Sequence, residues 1–101
     1  MATGIFTCEF DARVWPWRGP SLDHFVTLPA DHTHAIHEVV SSVTYGWSMV
    51  PVEVRIGRTS WRTSLFPMDG GYVLALRASA RKREDIHVDD VVHVALTVLG
   101  G

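Results

Sequence analysis

Six histidines, one cysteine and a scatter of aromatic and basic side chains are the groups in this 101-residue chain that could do chemistry. His32, His34 and His37 crowd one short segment, and imidazoles that close together raise the question of a metal. At about 100° per residue on a helix, His34 and His37 lie on neighbouring faces, while His32 and His34 point roughly apart. Only two ligands are therefore local, and a structural zinc wants four. His24, His87 or His93 would have to complete the set from elsewhere. A solvated helix face is the better reading, and neither a metal nor a cofactor is expected. Cys8 stands between Thr7 and Glu9 on the apolar side of an alternating run, where a buried thiol is poorly ionised and inert. No Ser-His-Asp order is recognisable, and Ser64 lies on a strand instead of a strand-to-helix elbow. Gly70-Gly71 precedes a strand, not a helix, so it reads as a tight turn and not a phosphate loop. No catalytic residue is assigned.

Two constellations remain. Trp15, Trp17, Trp47, Trp61, Phe66 and Tyr72 are many aromatics for so small a chain. Combined with a few polar groups, they could line a small-molecule pocket. The candidate ligand site is Trp47, Trp61, Arg62, His24 and Arg55, with Arg62 either paired to Glu53 or binding an anion. The competing reading is that the rings close the ends of a barrel, filling its taper. The second constellation is Arg77, Arg81 and Lys82, followed by Arg83, a surface that could meet DNA. Glu84, Asp85, Asp89 and Asp90 come directly after it and offset the field. Nucleic-acid affinity comes largely from neutralising phosphates, and a net charge of −2 is wrong for that.

The elements that would position these groups are mostly strands. Phe6, Cys8, Phe10, Ala12 and Val14 alternate with Thr7, Glu9, Asp11 and Arg13, which predicts a long first strand over about Ile5–Trp15. Pro16, Gly19 and Pro20 break it. A strand follows at His24–Leu28. Pro29-Ala30-Asp31 then opens a helix, with Asp31 at the N-cap, Ile36, Val39, Val40 and Val43 inward, and His34, His37, Glu38 and Ser41 outward. Thr44–Trp47 is a connection. Val50–Ile56 alternates cleanly and pairs through a Gly57-Arg58 turn with Thr59–Phe66. In that return strand Trp61, Thr63 and Leu65 face inward while Arg62, Ser64 and Phe66 face out. Tyr72–Leu76 is a strand, Ser79 caps a short helix over Ala80–Asp85, and Ile86–Asp90 is a turn. Val91–Val98 closes the set, with Val92, Val94, Leu96 and Val98 inward.

The stretches His24–Pro29, Val50–Val54 with Ile56-Gly57, Trp61–Pro67 and Gly70–Tyr72, closed by Arg81-Lys82, Ile86, Asp90 and Val91, carry a resemblance. In this order they resemble a bacterial family of small β-barrel domains, the domain of unknown function nineteen-oh-five. The resemblance implies a split barrel and brings no established catalytic residues. The tail also resembles the swapped-hairpin DNA-binding barrels of antitoxins and transition-state regulators. There the turn reads Ile-x-x-Gly-Asp, and here Asp89 occupies the glycine position, which asks an aspartate to adopt a left-handed backbone.

The length fits one domain spanning residues 1–101, and 47% hydrophobic residues are too many for a disordered segment. One cysteine forbids an intramolecular disulfide, no signal peptide is evident, and no apolar run reaches the about 20 residues of a membrane helix. The expectation is a cytoplasmic, mainly β protein: a six-stranded closed or double-split barrel capped by two short α-helices. The expected role is a non-enzymatic small-molecule-binding or protein-interaction module. The alternatives are a small enzyme using a pocket histidine for acid–base chemistry and a DNA-binding swapped-hairpin regulator. No membrane partner is expected. Monomer and homodimer both stay open, the dimer through a last strand left at a sheet edge.

Overall fold

Residues 3–17, 24–41 and 49–100 are described by the structure, a computed structural model. The alternating runs form the strands β1 (Thr3–Arg13), β2 (Trp15–Pro16), β3 (His24–Thr27), β4 (Val50–Ile56), β5 (Thr59–Met68), β6 (Gly71–Leu76) and β7 (Val91–Gly100). Helix α1 (Ala30–Ser41) lies between β3 and β4, and α2 (Ala78–Arg83) between β6 and β7. Along β4, Val50, Val52, Val54 and Ile56 are buried and Pro51, Glu53 and Arg55 exposed, the period-two pattern of a half-buried strand. Gly57, at φ 60°, begins the two-residue turn into β5, a position that favours glycine in a hairpin.

The strands form a seven-stranded, antiparallel sheet in the order β1-β7-β4-β5-β6-β3-β2, an open half-barrel. This corrects the expected closed or double-split barrel of six strands. The extra strand arises because the first run breaks at Val14. The Val14 N–H donates to the Asp90 carbonyl at 2.8 Å, and its own carbonyl accepts from the Asp89 N–H at 2.8 Å. Its backbone is thus spent on the turn before β7, and the next residue, Trp15, pairs with Phe25 of β3. One continuous run of chain consequently supplies both edges of the strand order. β5 makes a similar transfer: Thr59–Leu65 pair with β4, and Phe66–Met68 with β6. β7 lies inside the strand order between β1 and β4, paired with β4 over Ala95–Val98, and not at the end of the order where the sequence places it.

The helices close over this sheet with shifted bounds. Asp31, expected as the N-cap of α1, lies in its first turn, while Ile36 and Val40 are buried. Val43 and the Thr44–Trp47 connection lie outside the described residues. α2 begins two residues before the expected Ala80, with Arg77 at the N-cap position and no side-chain cap. Its end is a left-handed stop: Asp85 has φ 53°, and the Ile86 N–H reaches the Arg81 carbonyl at 2.9 Å. The interior is apolar and filled. Phe10, Val52, Val54, Leu65 and Leu96 are buried in one cluster with Trp61, Tyr72, Ala80 and Ile86, and Phe6, Cys8 and Ala12 pack against it. Among the described residues no helix is long and apolar enough to cross a membrane.

Candidate functional site

The described residues of the expected pocket divide between the core, the outer sheet face and the start of β3. Trp61 points into the core and is 7% exposed, its Nε1 buried with no partner among the described residues. Arg62, its neighbour on the strand, points outward and pairs with Glu53 at 3.6 Å. Arg55 lies on the same outer face, opposite Ser60 on β5 and Ala95 on β7. Trp47 lies outside the described residues. His24 opens β3 at the other end of the strand order, opposite Leu76.

His24 has different company. Its register with Leu76 sets it beside the chain that enters α2. On that helix Ala78, Arg81 and Lys82 recur at i, i+3 and i+4, one face of the helix, and Asp85 follows at its left-handed stop. These four, with Ile86 and His87, line a cleft of about 450 Å³ together with His24. Two residues of the expected DNA surface thus join one residue of the expected ligand site. Arg77, the third basic residue, is turned aside and donates from its guanidinium to the Arg62 carbonyl at 3.3 Å.

The walls of the cleft are held by short-range bonds. Arg81 Nε donates to the Leu76 carbonyl at 3.3 Å. The His87 N–H donates to Asp90 Oδ2 at 2.8 Å, and its Nε2 lies 2.8 Å from Asp85 Oδ1. Ile86, buried by the helix stop, forms an apolar element of the wall. The acidic group is therefore matched by an imidazole, whereas neither Arg81 nor Lys82 forms an ion pair among the described residues. His24 Nδ1 is buried and has no hydrogen-bond partner among the described residues.

The remaining histidines are dispersed. His34 pairs with Glu38 at 3.1 Å, His37 Nδ1 lies 3.4 Å from the Tyr72 hydroxyl, and the His32 ring tilts against Phe10 with centroids 5.8 Å apart. On the outer sheet face, His93 bridges two carboxylates of β1, with Nε2 2.9 Å from Glu9 and Nδ1 2.8 Å from Asp11. The hydrogen bond to Glu9, then that to Asp11, raise its pKa, because both contacts need an N–H on the ring. Sequence reading missed this triad, although the outward phase of Glu9 and Asp11 on β1 and of His93 on β7 was a signal once those strands are paired. Burial, then the Asp31 charge, push the Cys8 thiol up to about 11.

The outer surface near β2 carries a third group. The Trp15 ring stacks on Phe25 at 5.2 Å, Trp17 meets Phe25 edge-on at 5.8 Å, and Trp15 Nε1 donates to Thr27 Oγ1 at 2.9 Å. These rings hold the short β2 against β3 from outside, and so close an edge of the sheet instead of lining an interior pocket. No curated protein matches this chain. Residues 10–96 match the family described as domain of unknown function DUF1905, and on a match over most of its length the chain belongs to that family.

Proposed function

We propose that this protein is a non-enzymatic binding module that takes a small molecule in the cleft between the start of β3 and α2. The observation that carries the reading is the orphaned Nδ1 of His24 in the cleft wall. A buried polar atom without a partner costs about 1–3 kcal/mol, and native folds keep few of them outside functional places. The volume falls in the range of small-molecule sites, and the wall sets Ala78 and Ile86 beside five polar or charged side chains, which suits a polar ligand.

The test is a screen of the full chain against a metabolite panel, read by thermal shift and by ¹H–¹⁵N amide shifts. A ligand present at 100 times its Kd adds about 2.7 kcal/mol of stability, a rise of about 10 °C or more for a domain of this size. Ala78 is exposed, so Ala78→Trp fills the cleft without touching the core. A hit that moves the amides of α2 and the start of β3, and is lost in Ala78→Trp, supports the reading. A panel that leaves those amides unmoved, or a hit indifferent to Ala78→Trp, overturns it. Chemical conversion of the hit during the titration would replace the module with an enzyme.

A further inference from the structure

Resting on that cleft, we infer that its ligand carries an oxyanion, a carboxylate or phosphate group, gripped by Arg81 and Lys82. Arg81 is anchored through Nε to the Leu76 carbonyl, which fixes the plane of its guanidinium. Among the described residues its terminal N–H groups have no partner, and they keep the fork geometry that fits two oxygens of one anion. Lys82 is the adjacent position on the same lining face and adds a mobile ammonium. Three titratable groups face these two cations across the cleft: Asp85, His87 and His24. Asp85 is the one acid among them; it pairs with His87 at 2.8 Å and with neither cation. Among the described residues the cleft therefore has two cations committed to no acidic partner. Arg81 is also partly buried, so its attraction for an anion is less screened than that of a free surface arginine. Ile86 and Ala78 leave apolar surface beside the cations for the body of the ligand.

A competing explanation is that basic residues gather at the last turn of α2 to complement its dipole. Arg83 separates the two. It belongs to the same last turn and carries the same charge, but it does not line the cleft. The experiment is an amide-shift titration of the full chain at constant ionic strength with three probes: inorganic phosphate, succinate and the uncharged succinamide. Saturable shifts at His24, Arg81, Lys82 and His87 with phosphate or succinate, and none with succinamide, are expected. The anion that binds more tightly identifies the class. Lys82→Ala and Arg81→Ala should each weaken it about 10-fold or more, while Arg83→Ala should change it less than about 3-fold. Equal losses in all three variants would reduce the effect to a general field and overturn the inference. So would saturable binding of succinamide that Ala78→Trp abolishes, an outcome that leaves the cleft reading standing. Anion binding that survives Ala78→Trp would instead remove the cleft itself.

Discussion

Replacing Glu84 by alanine should unlatch α2 from the β4–β5 hairpin. Glu84 Oε2 accepts a hydrogen bond from Thr59 Oγ1 at 2.7 Å and a long one from the Arg58 N–H at 3.4 Å. Thr59 is 8% exposed, so its hydroxyl would be left with little access to water. A hydrogen bond to a charged acceptor with one buried partner is worth about 2 kcal/mol, and the 3.4 Å contact adds little. The other polar ties of α2 to the sheet, from Arg77 and Arg81 to backbone carbonyls, are both 3.3 Å and cannot take up the loss. Glu84→Ala should thus lower Tm by about 10 °C. Urea unfolding of Glu84→Ala, Thr59→Val and the double variant would measure the pair directly, with a coupling of about 1–2 kcal/mol. A third variant sharpens it. A Cβ at Gly57 would fall on the Glu84 carboxylate, and φ there is 60°. Gly57→Ala should therefore cost more in the native background than in Glu84→Ala, where only the backbone term of about 1–2 kcal/mol is left. A loss below about 0.5 kcal/mol for Glu84→Ala, additive with both partners, would refute the latch.

The remaining expectations concern single groups. His93 has a folded pKa above its unfolded value, so its bridge to Glu9 and Asp11 contributes fully below the unfolded pKa and fades as pH rises through the folded one. An imidazole NMR titration should show a pKa above about 6.5 that falls in Glu9→Gln, and an unmoved value in Glu9→Gln/Asp11→Asn would contradict the geometry. With its thiol at about 11 against an ordinary 9.0, Cys8 should be alkylated about 100-fold more slowly at pH 8 in the folded chain than in urea. Equal rates would place the thiol outside the β1 ladder. Leu65→Ala, at a site with 0% exposure, should cost about 2–5 kcal/mol by equilibrium unfolding, and a cost below 1 would deny the shared core.

Strands were legible because burial alternates with period two. Val50–Ile56 was read to the residue, and Val92, Val94, Leu96 and Val98 are buried along β7 as expected. Asp89 also behaves as its place in the turn demands, with φ 73° where a glycine would sit. The break at Val14 was not legible, because Val14 continues the apolar phase of β1 and only its hydrogen bonds to Asp89 and Asp90 reveal the transfer. The sequence predicts that β5 stops at Phe66, before Pro67, yet the strand runs on to Met68, since a proline can occupy a ladder position where no N–H is required. For α2, Ser79 drew the expected start too late, because capping preference is weak beside the backbone of Arg77, already extended at φ −61° and ψ 140°. Of the expected pocket residues, Trp61 is buried and Arg62 faces outward, as consecutive residues of a strand must. The cleft around His24 could not be read, because it depends on β3 pairing with β6 across more than forty residues of chain.

The register of β1 with β7 sets the order in which this molecule can be made. Gly4 lies opposite Leu99 and Phe10 opposite Val94, so strands at opposite ends of the sequence must find each other. The β4–β5 hairpin, joined by two residues, can form as soon as it leaves the ribosome. β7 comes last and docks between β4 and β1. Until then β1 waits with Phe6 and Phe10 unsheltered, holding open one side of an unfinished core. Closing that long loop is the slow step that contact order predicts, and it leaves β1 open to wrong partners until β7 docks. A chaperone that shields the first strand during translation would act on the point of greatest risk in this fold.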